Sequence, residues 1–231
     1  MIDLLHAATS GIGVYSIPEA ARYAKMNQAT LRTWFGGVKN RPPLRETEIA
    51  SSDFKAITFL EFIEAVAIRS LRVDYKVSLQ TIRQAIKNAS KKYEIEHPFA
   101  HRDHRTVLIG RDLHIFLAED LKNPVQLTGK AIGQKSFRPC IEAYMKELDF
   151  DSTGLARLYR AYTFNGENIV MNPSVHFGEP IVQAHGYTAH TLYQAALAEG
   201  GIGRAANIYE VPEAAVEAAY RYFNQELGVA A

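Results

Sequence analysis

Cysteine is nearly absent from this chain, Cys140 being the single one. That excludes a disulfide framework and any cysteine-rich zinc site, and it is what a reducing compartment permits. No stretch approaches the roughly 20 predominantly apolar residues of a membrane span. The opening Met1-Ile2-Asp3-Leu4-Leu5-His6 lacks the basic flank and apolar run of a secretory signal, so the cytoplasm is the expected compartment. Net charge is scarce as well: +1 over 231 residues excludes a wholly basic or a wholly disordered protein. What is present is 47% hydrophobic residues, enough for one large or two small cores.

The small total conceals a gradient. Residues 1–92 hold 14 Lys/Arg against 8 Asp/Glu, residues 93–165 hold 10 of each, and residues 166–231 hold 2 against 7. A basic end suits a polyanion and an acidic end suits another kind of partner, although solvated surfaces also drift in this way.

At the basic end, Ser16 followed by Glu19 is a capping box, and Pro18 falls in a first helical turn where its missing N–H costs nothing. The spacing predicts a helix from about residue 17 to Lys25-Met26. Asn27 then offers a second N-cap for Gln28-Ala29-Thr30-Leu31-Arg32-Thr33-Trp34-Phe35, which Gly36-Gly37 ends. Two short helices and a tight turn make a helix-turn-helix candidate. From Arg22 to Arg45 six residues are basic and none is acidic, the footprint of a phosphate-contacting surface. With Leu31, Trp34 and Phe35 facing inward, the candidate DNA-binding residues are Arg22, Gln28, Arg32 and Thr33, joined by Lys39, Arg41 and Arg45 on a following loop or wing. The alternative is a small helical hairpin with a solvated basic face.

These residues resemble a known family. Tyr15-Ser16-Ile17-Pro18-Glu19-Ala20-Ala21 with Ala29-Thr30-Leu31-Arg32-Thr33-Trp34 is similar to the opening of the MerR-type winged helix-turn-helix, and Val77-Ser78-Leu79-Gln80-Thr81-Ile82-Arg83 to the helix start after its wing. The resemblance implies that Thr30 and Arg32 meet DNA while Leu31 and Trp34 belong to the core. Residues 39–55 depart from the family in being Pro-rich and polar, without a compact aromatic wing motif.

Residues 58–92 read as two more helices. Thr58 with Glu61 caps the first, whose apolar stripe runs from Phe59 to Leu71, and Ser78 caps the second. The pair forms a hairpin that braces the head, or alternatively carries a dimer contact, because the stripe is broad. A homodimer would let two heads read symmetric half-sites.

Glu96 to His104 holds three histidines. Around Pro98 their spacing is poor for a metal, so a solvated connector is expected and no metal or other cofactor is assigned. Thr106–Gly110, Leu113–Leu117 and Pro124–Thr128 are strand-like and predict a small antiparallel sheet, with Gly110-Arg111-Asp112 as a turn. Arg138-Pro139-Cys140-Ile141 should open a helix running to about Leu148. Leu155 to Tyr162 is either a strand or irregular extended chain. Cys140 has no base at a motif spacing and reads as a buried, inert thiol, and Gly129–Gly133 is a turn rather than a phosphate loop.

In the acidic end, Asn172 to Val182 predicts a short strand and turn around Gly178-Glu179-Pro180. Three helices follow: Ala189 to Glu199 capped by Thr188, Gly203 to Tyr209, and Pro212 to about Gln225, with Glu217 and Arg221 an exposed pair. This segment resembles the family called domain of unknown function 433, which has an Asn-Pro opening, a Gly-x-Pro turn and a closing Val-Glu-Ala-Ala-Tyr; Ala184-His185-Gly186-Tyr187 replaces its usual Gly-Thr-Arg. Only Arg204 and Arg221 could neutralise phosphates here, so a basic protein partner fits better than DNA.

The succession of head, middle region and C-terminal module resembles a VapB-type antitoxin. That resemblance implies a PIN-like ribonuclease toxin as partner, met through Pro173, Phe177, Gly178, Pro180, Tyr187, Glu213 and Glu217, and double-stranded operator DNA held by the head. The expected fold is α+β, mainly α with a small antiparallel sheet: a winged helix-turn-helix head with bracing helices over 1–97, a small α+β middle region over 98–165, and a three-helix, partner-binding domain over 166–231. Two other readings stand beside an antitoxin and autorepressor. One is a ligand-responsive MerR-like transcription regulator without a toxin partner; the other, an enzyme, lacks any convincing nucleophile–base pair or paired carboxylates.

Overall fold

The computed structural model describes residues 2–3, 12–37, 42–50, 56–109, 112–117, 120–128, 138–139 and 142–224. Lys39, Arg41, Gly110, Arg111, Gly129–Gly133 and Cys140 lie outside them, and so do the expectations placed on those residues. Among the described residues the fold is α+β, mainly helical with small antiparallel sheets. No helix there is long and apolar enough to cross a membrane.

The head begins with strand β2 (Val14–Ser16), antiparallel to β4 (Ala56–Thr58). Strand β1 (Ile2–Asp3) runs parallel to β3 (Ile49–Ala50). Ser16 and Glu19 form the expected capping box, starting α1 (Ile17–Tyr23), and Asn27 caps α2 (Gln28–Gly36) through an acceptor 2.8 Å from the Ala29 N–H. Thr58 and Glu61 cap α3 (Phe59–Val73), and Ser78 caps α4 (Leu79–Tyr93). The broad apolar stripe of α3 is used up inside the chain: Phe59, Phe62, Ile63, Ala65, Ala67, Ile68 and Leu71 are all buried in a core shared by the head, α4 and both larger sheets.

One four-stranded sheet has the order β7-β6-β5-β8, from β5 (Arg105–Ile109), β6 (Asp112–Leu117), β7 (Asp120–Gln126) and β8 (Arg138–Pro139). Asn88 of α4 ties to it by donating to the Leu127 carbonyl, 2.6 Å away. Here the structure corrects the reading of residues 138–148. Arg138 and Pro139 form an edge strand, where the missing proline donor is tolerated, and the helix is confined to α5 (Glu142–Met145).

The second sheet, β12-β11-β10-β9, resolves the ambiguous stretch as a long strand. It contains β9 (Leu148–Phe150), β10 (Ala156–Phe164), β11 (Glu167–Met171) and β12 (Ile181–Val182). Asn165-Gly166, both at positive φ (47° and 83°), close the β10–β11 hairpin, as a two-residue primed turn requires. The 165/166 boundary expected from sequence therefore falls inside a turn whose flanking residues Phe164 and Glu167 pair. Helices α6 (Ala189–Ala198), α7 (Ile202–Tyr209) and α8 (Glu213–Asn224) pack on this sheet around Leu192, Val216, Ala219 and Tyr222.

Candidate nucleic-acid and partner interfaces

Helix α2 buries Leu31, Trp34 and Phe35, which turns its other face outward. Gln28 and Arg32, one turn apart, are exposed, and Thr30 and Thr33 are half-buried beside them. The Thr33 hydroxyl donates to the Ala29 carbonyl at 2.9 Å. The α1–α2 turn passes through Lys25 at φ 54°, and Met26 N–H returns to the Ala21 carbonyl at 2.8 Å. α2 carries no acidic residue in its first turn, so nothing on it repels a phosphate.

Two of the expected DNA contacts are engaged elsewhere. Arg22 is exposed, yet its guanidinium lies over the Phe223 ring of α8. Arg45 sits in an interior ion cluster, with Glu48 at 2.7 Å, Glu64 at 3.1 Å and Glu61 at 4.0 Å. It also donates to the Glu96 carbonyl, and only 14% of its side chain is exposed. Burial pushes the carboxyls of Glu61 and Glu64 above their usual range, against the pull of Arg45 and of backbone N–H donors. For Glu48 burial also works upward, but the hydrogen bond and charge of His97, together with Arg45, hold it below the usual range. Arg45 thus secures the loop after α2 to α3.

The histidine segment is not the solvated connector expected. His97 is 8% exposed and lies 3.2 Å from Glu48, and Phe99 and Ala100 are fully buried. Apolar Phe99 carries the segment into the core, and the histidines follow. His101 stacks on His104 at 4.2 Å and bonds the Thr153 carbonyl at 3.0 Å, while burial and the neighbouring His101 lower His104 to about 4. Among the described residues no group of His, Cys, Asp or Glu is arranged to hold a metal.

At the acidic end the expected partner residues separate into two sets. Gly178 and Pro180 are buried, and Pro173 is turned toward Gly13. The Gly178 carbonyl accepts from the Tyr15 hydroxyl of β2 at 2.9 Å. Phe177, by contrast, is 68% exposed, and it and His176 both hold left-handed backbone (φ 54° and 46°). Consecutive non-glycine residues in that region cost about 1–2 kcal/mol each, so the surrounding turn holds an exposed aromatic in a strained position. Tyr187 packs edge-on to Tyr209 at 5.3 Å, and Ile208 and Leu197 are also exposed. Glu213 is exposed; Glu217 pairs with Arg221 at 2.7 Å.

Sequence reasoning did not single out the links of Tyr15, Lys25 and Tyr222, which join the head to the C-terminal part: Tyr15 to the Gly178 turn, and Lys25 to Tyr222 of α8. Lys25 donates to the Tyr222 carbonyl and lies 4.0 Å from the centre of its ring. On α8 it is Tyr222 that is fully buried, while its neighbours Tyr220 and Phe223 are half-buried.

No family model matches the chain. It is 24% identical over 196 residues to a Mycobacterium tuberculosis (strain ATCC 25618 / H37Rv) protein named "Putative antitoxin VapB45", covering 76% of this chain and 79% of that one. The fold is similar to the crystal structure of Rv2018 from Mycobacterium tuberculosis, with a TM-score of 0.62 at 20% identity, covering 89% of this chain and 96% of that chain.

Proposed function

We propose that this chain is the antitoxin of a type II toxin–antitoxin pair, a non-enzymatic protein that neutralises a PIN-like ribonuclease toxin by binding it and represses its own operon by binding DNA. The observation that carries the reading is the likeness to a protein named as a VapB antitoxin across three quarters of both chains, in a molecule whose charge is divided between a basic head and an acidic C-terminal part.

In this reading α2 enters the major groove with Gln28, Thr30, Arg32 and Thr33, and the chain works as a homodimer on symmetric half-sites. Lys39 and Arg41 add phosphate contacts from the following loop. The toxin docks on the acidic end, with Phe177 as the aromatic anchor and Tyr187, Glu213 and Glu217 as further contacts. A large aromatic that the turn keeps in solvent offers apolar area to a partner, and carboxylates complement a basic RNA-binding groove. Head, middle region and C-terminal part, 1–97, 98–165 and 166–231, then divide DNA reading, support and neutralisation between them. Co-expression with the neighbouring open reading frame, scored by growth and by co-purification, tests the reading.

A further inference from the structure

Where α1, α3, β10 and α8 meet, a cavity of about 390 Å³ opens beside Tyr23, Lys25, Arg69, Tyr159 and Tyr222. Two cations and three tyrosines line it, and no carboxylate does so among the described residues. The Nε of Arg69 is shut off from solvent with no hydrogen-bond partner among them. A buried polar group is nearly always paired, so the unsatisfied Nε shows that the hydrogen bonding of this cavity-lining guanidinium is incomplete. Lys25 reaches the same cavity from a left-handed backbone position, its ammonium against the Tyr222 ring. Burial, with Arg22 nearby, lowers Lys25 to about 8. Two cationic side chains lining one space with no carboxylate beside them make it a place where an anion is favoured.

We propose that this cavity binds a small anion: a carboxylate or phosphate group attached to a compact aromatic body. Arg69 presents a planar fork that takes two anion oxygens, and Lys25 supplies a point charge to the same group. The rings of Tyr159, Tyr222 and Tyr23 enclose the body, and their hydroxyls stay protonated donors, burial having pushed Tyr159 up to about 12. The volume lies within the range of small-ligand pockets. Lys25 belongs to the helix-turn-helix turn and Tyr222 to α8, so an occupant touches the head and the C-terminal helices together. The inference goes beyond the antitoxin reading and does not depend on it.

The test uses the full-length protein, titration calorimetry and four probes: phenyl phosphate, benzoate, inorganic phosphate and benzylamine. Phenyl phosphate or benzoate should bind saturably, whichever is tighter identifying the anionic group. Inorganic phosphate should bind about tenfold more weakly for want of a body, and benzylamine not at all. Arg69→Met should weaken binding about tenfold or more, and Arg69→Lys by less, since the charge stays and the fork is lost. In the unmodified protein, saturating phenyl phosphate should protect Lys25, but not exposed Lys76, from acetylation read by mass spectrometry. Absence of binding by all three anions at about 10 mM, equal binding by benzylamine, unchanged affinity in Arg69→Met, or unprotected Lys25 would each overturn the proposal.

Discussion

The guanidinium of Arg22 lies 4.4 Å from the centre of the Phe223 ring, joining α1 of the head to α8. Lys25 on Tyr222 and the Tyr15–Gly178 hydrogen bond repeat that connection at two other points. The basic head and the acidic end are therefore mechanically linked, and a residue expected to read DNA also fastens α8. An event at one end has a short physical route to the other.

Truncation after residue 165 removes β11, the partner of β10, and with it the Gly178 acceptor of Tyr15. The expected result is a head that melts at least about 5 °C below the full chain. Thermal unfolding of residues 1–165 beside the full protein checks this; equal melting temperatures would show that the head stands alone.

Gly178 has φ +88°, and a Cβ there would come within 2.2 Å of the Tyr15 hydroxyl. Gly178→Ala should cost about 2–4 kcal/mol from backbone strain and overpacking. In a Tyr15→Phe background, where the clashing oxygen is gone, the same substitution should cost less. A double-mutant cycle in urea reads this coupling, and strict additivity would contradict it.

Arg45→Met removes the guanidinium shared by Glu61 and Glu64, leaving His97 as the remaining cationic neighbour of Glu64, and should cost about 3–5 kcal/mol near neutral pH. Both carboxyls titrate above their unfolded values, so the native state takes up protons more readily than the unfolded chain. The contribution of these two groups to stability is then fully present at low pH and is lost as pH rises through the folded values, whereas Glu48, held below its usual range, contributes in the opposite sense. The deficit of the variant should shrink between about pH 8 and about pH 5, measured by denaturant unfolding across that range. A deficit that stays constant would exclude the cluster as its cause.

Much of this fold was legible locally. Ser16 with Glu19, Thr58 with Glu61, Asn27 and Ser78 each announce a helix start because a cap satisfies backbone donors within three residues of itself. The inward faces of α2 and α3 follow from periodicity in the same way. What stayed hidden are relationships between distant segments. Tyr15 and Gly178 are 163 positions apart, and a periodic pattern states which face is apolar without naming what covers it. Arg45 illustrates the cost: read beside Arg41 it is one more basic residue, and only the approach of Glu48, Glu61 and Glu64 shows its charge to be spent indoors. The Asn165-Gly166 turn, in contrast, was a local signal passed over, and it would have settled β10 as a strand.

For DNA, Arg32→Ala should weaken operator binding about five- to tenfold and reduce the slope of log affinity against log salt by about 1, the loss of one phosphate contact. Toxin binding should be unchanged, because Arg32 lies on the exposed face of α2 and is not among the residues assigned to the toxin. Electrophoretic mobility shifts over a salt series and a pull-down with the toxin read the two effects; equal loss of both would end the division of labour.

The most direct test of the antitoxin account is growth of cells expressing the neighbouring open reading frame, alone and with this protein, followed by co-purification. The account predicts toxicity that this protein relieves, a stable complex of the two, and loss of both in Phe177→Asp, whose aromatic anchor is replaced by a charge. A harmless neighbour that forms no complex, or full rescue by Phe177→Asp, would contradict it.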